Sequence, residues 1–292
     1  MWKKVLLPII LTIALAVCGL GGVLLDKYVL KDNQPNPLTN VVEELQDQLK
    51  DYEDEINYGV ETKYTLKADS TLDINQLIKE QGSEGIKLTL KEDVTHGGII
   101  AYAGDAGENG TIIIDLNGHT YTPNQAVGST GTVSQGFHFE KGWKVIIRNG
   151  TLKAGQPGVK MLVQNYADLT LENVILDGRD IEGTGRYVLS NNFGNVVIKG
   201  NTQILAKEGD IAFDLWYGMS ATYDDGVSVT FDETFTGRVE GNIEYGAASR
   251  AAEGWEEKTI LTIKAGTFTG EIIYTRATEN ANIHISEGVI FE

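Results

Sequence analysis

Cysteine occurs once in 292 residues, and that residue, Cys18, lies inside an apolar run near the N-terminus. An intrachain disulfide is therefore excluded, and so is a cluster of thiolates around a metal. Proline is scarce, with five residues against 34 glycines, so turns rely on glycine rather than on fixed prolyl corners. Basic residues are in deficit: 24 Lys and Arg face 41 Asp and Glu, for a formal net charge of −17. Residues 1–32 are themselves net basic, with Lys3, Lys4, Lys27 and Lys31 against Asp26 and Asp32, so the acidity lies in the remainder. Such a body repels phosphate backbones and anionic headgroups, which argues against nucleic acid as a partner and against polyanionic glycans. The histidines are few and dispersed: His96, His119, His138 and His284 show no metal-ligand spacing, and no metal or cofactor is expected.

One long apolar run is present. Met1–Lys4 is a short basic head, and Val5–Leu25 follows without a charged residue, enough to cross a bilayer as a helix. The lysines before the run keep its head in the cytoplasm and send the body outward. A cleaved signal peptide and a lipid anchor on Cys18 are the alternatives; the first lacks a well-placed small-residue exit, and the second has Val17 where a small residue is usual. The reading taken is a single-pass cell-membrane anchor with an extracytoplasmic body.

Three parts follow: residues 1–30 as anchor or signal segment, 31–60 as linker and acidic amphipathic helix, and 61–292 as the body. Lys31–Asn40 is polar and holds two of the prolines. In the next stretch Val42, Leu45, Leu49, Tyr52 and Ile56 recur at alternating steps of three and four, a short seam opposite a strongly acidic face. It serves either as a homo-oligomerising stalk or as a solvated spacer. Tyr64–Val94 reads as a leading module. There Asp73 or Ser70 caps a short helix with Ile74, Leu77 and Ile78 on one face, ended by Gly82–Gly85, before a strand at Ile86–Leu90.

The rest repeats. Thr111–Thr122, Lys144–Ala154, Asp168–Gly178, Asn195–Ala206, Val227–Gly237, Thr259–Gly270 and Asn282–Glu292 are each a strand, a tight corner and a second strand. The last inward residues before the corners are taken as Leu90, Leu116, Ile147, Leu171, Ile198, Phe231, Ile263 and Ile285, and the residue two before each is also apolar. Tyr121, Leu152, Leu176, Phe268 and Ile290 mark the inward side of the second strand. These anchors are roughly 20–35 residues apart, within the range of repeat architectures. Stacked in register they give an all-β parallel solenoid with a short N-terminal helical cap, preceded by the membrane and acidic helices. The residues just after the anchors form an outward column, in which Arg148, Glu172, Lys199, Asp232 and Lys264 alternate in sign. That pattern predicts a structural ladder of ion pairs. The final coil has no evident cap, and a partner or a second copy is expected there.

Strings such as Ile114–Thr120 (IDLNGHT) and Leu169–Val174 (LTLENV) resemble the right-handed parallel β-helix proteins of the pectate-lyase-like superfamily, in the form found in repeat-bearing surface proteins of Gram-positive bacteria. The resemblance covers Tyr64–Glu292. It implies a right-handed coil, while the superfamily's functions range over lyases, hydrolases, phage tailspikes and adhesin stalks. The usual C-terminal sorting signal is missing, so attachment is expected from the N-terminus.

A lyase of this kind implies carboxylates and a basic residue beside a cation, and the nearest local set is Asp177, Arg179, Asp180 and Arg186, with Glu182 in the same loop. These acids and bases are close enough to neutralise one another. A glycosidase pair could be drawn from Asp214, Asp224, Asp225 and Asp232. Tyr223–Gly226 holds only a fragment of a calcium loop and reads as a turn. The aromatic residues Trp143, Trp216, Tyr217, Tyr245 and Trp255 fall in or beside the longest intervals, where they stack on sugars or seal loops against the core. The function read from the sequence is a non-catalytic binding or structural module in contact with a glycan or a surface protein. A polysaccharide lyase or glycoside hydrolase and a phage or host-interaction spike are the alternatives.

Overall fold

The computed structural model describes residues 49–50, 53–54, 56–60 and 62–292 apart from 108–109, 130, 156–157, 184, 219–225 and 277–279. The membrane run, Cys18, most of the acidic helix and Tyr223–Asp225 lie outside the described residues. Among those described, no helix is long and apolar enough to cross a membrane. The chain divides into two units, Met1–Gly59 and Val60–Glu292.

The second unit is a parallel β-solenoid of about eight turns. Coils begin at Ile86, Thr111, Lys144, Asp168, Asn195, Val227, Thr259 and Asn282, and each carries up to three strands, here called legs A, B and C. In coil 5, for example, these are Asn195–Lys199, Gln203–Leu205 and Ile211–Tyr217. Every leg pairs in parallel with the same leg of the neighbouring coil. Alternation turns one side of each strand into a shared interior, where Leu169, Val196, Val229 and Leu261 form one column and Leu171, Ile198, Phe231 and Ile263 the next. Phe231 is the centre of an aromatic knot, with centroids of Phe213, Phe235 and Phe268 at 5.5, 4.9 and 5.0 Å.

The leading module folds as its sequence predicts. Helix α1 (Ile74–Gln81) starts at Asp73, whose carboxylate accepts from the Gln76 backbone N–H at 3.0 Å, and it buries Ile74, Leu77 and Ile78 over the interior. A strand not foreseen there, Thr62–Leu66, pairs in parallel with Ile86–Leu90 and extends leg A by one rung.

Register in the first two coils departs from the sequence alignment. Ile114, not Leu116, lies beside Ile147, and Leu88 lies beside Ile114. Coils 2 and 3 share an Asn-Gly corner, but the one at Asn117-Gly118 is longer. Leu116 turns inward at that corner, and Tyr121 still meets Leu152. In coil 8 the inward residue of leg B is Phe291, stacked on Phe268 at 5.1 Å, and Ile290 points out.

Correct register moves the charge ladder up by one coil. Asp115 stands beside Arg148, and their side chains meet at 2.9 Å although both are buried. Lys199 meets Glu172 at 3.3 Å. The pattern then breaks: Lys264 reaches Glu233 at 3.0 Å, while Asp232 caps its own turn by accepting from Thr234.

The two ends of the stack differ. Helix α1 and the buried Trp143 seal the first coils, whereas the inward-column side chains Tyr274, Ile285 and Phe291 are 51, 46 and 41 % exposed.

Candidate functional site

The acid–base candidates on legs B and C pair off. Arg179 forks onto Asp177 with two bonds of 2.8 Å, and its guanidinium holds that carboxyl below the usual carboxylate range. Lys153 takes Asp180 at 3.3 Å. Arg186 is not part of this group: it forms an ion pair with Asp210 on the next coil, at a 270 Å³ recess between the glycine-bearing loops around 183–185 and 209. The four residues expected to work together thus occupy two places.

Four of the five candidate binding aromatics are buried, which corrects that expectation. Trp143 donates from Nε1 to the Tyr102 carbonyl at 2.9 Å and is 1 % exposed. Tyr245 donates to the Thr259 carbonyl at 2.7 Å and packs on Trp255 with centroids 5.7 Å apart. Tyr217 meets Phe193 edge to face at 5.0 Å. A ring closed in on both faces offers nothing to a sugar; these side chains seal loops against the interior. Trp216 is the exception, half-buried on the outer side of leg C.

That outer side is where polar groups converge. His138, Gln164, Ser190, Asp214 and Glu244 fall on one outward column through coils 2 to 6, each in register with the next. His138 Nδ1 lies 3.1 Å from Gln164 Oε1, and burial lowers its pKa despite Glu140 beside it. Asp214 accepts from the Ser190 hydroxyl at 3.2 Å and from the Asn191 backbone N–H. Burial, helped by the charge of Glu244, holds the Asp214 carboxyl well above the usual carboxylate range and favours its neutral acid form. Tyr187 explains part of that burial. Its hydroxyl on coil 4 donates to Glu244 on coil 6 at 2.9 Å, so the ring bridges the coil that carries Asp214. Thr275 donates to the other Glu244 oxygen at 2.6 Å.

Asp214 was one of the carboxylates drawn from the sequence; Glu244, Tyr187 and Ser190 were not. The repeat was phased on legs A and B, whose corners carry Asn-Gly signals, and leg C has no such marker. Counting by twos from Phe137, Val163, Leu189, Phe213 and Ile243 finds the column. Asp232 lies on leg A, away from it. No metal-holding group of His, Cys, Asp or Glu occurs among the described residues. Comparison with protein-family models, with curated proteins and with solved structures yields no match.

Proposed function

We propose that the chain is a membrane-tethered, extracytoplasmic right-handed β-helix of the pectate-lyase-like, Gram-positive surface type, and that it acts as a non-catalytic binding module whose outer leg-C face contacts a glycan. The observation that carries this reading is Trp216, half-exposed at the end of a strand whose outward neighbours are hydroxyls, amides and a carboxylate. An apolar ring edged by hydrogen-bonding groups is what a pyranose needs, with C–H faces on the ring and hydroxyls at the rim. The Asp177, Asp180 and Asp210 carboxylates are each engaged by a cation, which leaves them to hold loops. A screen of the full chain in mild detergent against an immobilised glycan panel tests the reading, with Trp216→Ala as control. Retention on glycans that the variant loses supports it; no retention on any of them defeats it. Protease accessibility of the body on intact cells tests the topology, against secreted or Cys18-lipidated forms.

One observation favours a second reading, a polysaccharide hydrolase. Asp214 and Glu244 are adjacent in register, one held toward its acid form and the other hydrogen-bonded as a carboxylate, the division of roles that glycoside cleavage uses. Release of reducing ends by the full chain, abolished in Asp214→Asn, would replace the binding reading.

A further inference from the structure

The outer face of leg C carries a second partly exposed ring. Tyr166 on coil 3 follows the inward Asn165, and Trp216 on coil 5 follows the inward Leu215. The pairings Asn165↔Asn191 and Asn192↔Trp216 set Tyr166, Asn192 and Trp216 in one column on three successive coils. With strands about 4.8 Å apart, the two rings are about 10 Å apart along the solenoid axis, with an amide between them.

Both rings are held against the sheet. The Tyr166 hydroxyl accepts from Gln164 Nε2 at 3.1 Å, and its ring tilts by 42° against His138 at 5.7 Å. The indole of Trp216 leans over Gly246 on coil 6, where an added Cβ would come within 2.9 Å of its Cζ3. Glycine at that position gives the ring its place. Charge on this face is of one sign: Glu140 and Glu244 flank the column, and the nearby Arg186 is occupied by Asp210. A polyanion would be repelled.

We infer that this column binds a neutral, linear, β-1,4-linked polysaccharide running along the solenoid axis, with Tyr166 and Trp216 stacking on alternate sugars and Asn192 meeting the hydroxyls of the sugar between. In such a chain each pyranose is turned over relative to the last, so the same face recurs at every second unit, the interval at which the rings recur. An α-linked chain curls and cannot keep both contacts. The inference rests on the glycan-binding reading and names its ligand class.

The test is titration of the full chain in mild detergent with cellohexaose, chitohexaose, maltohexaose and polygalacturonate, followed by calorimetry and tryptophan fluorescence. Binding of one or both β-1,4 hexaoses is expected, together with a steep gain in affinity between disaccharide and tetrasaccharide. Trp216→Ala and Tyr166→Ala should each weaken binding by about tenfold or more, with Trp216→Phe restoring most of it. Thermal melts identify any variant that has lost its fold, and the Phe variant keeps the comparison decisive. Equal binding of maltohexaose, or preference for polygalacturonate, overturns the ligand class while the glycan reading stands. Loss with Trp216→Ala but not with Tyr166→Ala overturns the two-ring arrangement. No binding to any of the four, together with an empty glycan panel, removes both.

Discussion

Tyr187 and Glu244 are 57 positions apart in the chain and joined by a 2.9 Å hydrogen bond that passes over the coil between them. The bond gives the leg-C face a tie that spans three coils, where the backbone ladder joins only neighbours. Tyr187→Phe keeps the ring and removes the donor to a partly exposed carboxylate. A loss of about 1 kcal/mol is expected, read as a lower urea midpoint with an unchanged m-value.

Asp214 sets a pH dependence of a particular sign. Its folded-state pKa lies well above the ordinary 3.8, so the folded protein holds a proton that the unfolded chain gives up. Stability contributed by that proton is complete below about pH 4 and falls as pH rises toward the folded value. Asp214→Asn should flatten this slope in melts between pH 4 and 8 and raise the melting temperature at neutral pH.

His138 acts in the opposite direction. Burial lowers its pKa below 6.5, although Glu140 opposes the shift, so the unfolded state takes up the proton first and stability falls as pH drops below about 6.5. Gln164, Tyr166 and Glu140 all face this ring. In His138→Gln the acid loss should shrink, seen as a smaller fall in midpoint between pH 7 and 5.

Asn191 satisfies three interior groups at once. It accepts from Asn165 Nδ2 at 2.9 Å and donates to the carbonyls of Gly194 and Ser228, each at 3.0 Å. Asn191→Ala leaves buried polar atoms unpaired and should cost about 3 kcal/mol by equilibrium unfolding. Phe231→Ala empties the centre of the aromatic knot and should cost about 3–5 kcal/mol, whereas Val197→Ala on the outer face should change stability by about 0.5 kcal/mol or less.

The parallel stack was legible from Leu169–Leu171, Val196–Ile198 and their equivalents because one buried interior imposes the same alternation on every coil. Helix α1 was legible from Asp73 and its apolar face. The register of coils 1 and 2 was not, since Asn117-Gly118 and Asn149-Gly150 look alike as text and differ in how much chain the corner holds. The fates of Trp143, Tyr245 and Trp255 were hidden for another reason: a ring in a loop packs inward or outward according to neighbours one coil away. The leg-C column was written in the sequence without punctuation, and only pairing across coils brings Ser190, Asp214 and Glu244 together.

The uneven ends of the stack have a mechanical consequence. Hydrogen bonds between coils run along the long axis, so tension on the two ends loads the rungs in series, one coil after another. At the helix-sealed end, separating a coil also means extracting Trp143 and the buried face of α1; at the far end Tyr274, Ile285 and Phe291 already face water. Under pull the molecule should therefore unwind from its last coil toward its first, lengthening in steps of one turn, while the half nearest the helix stays wound.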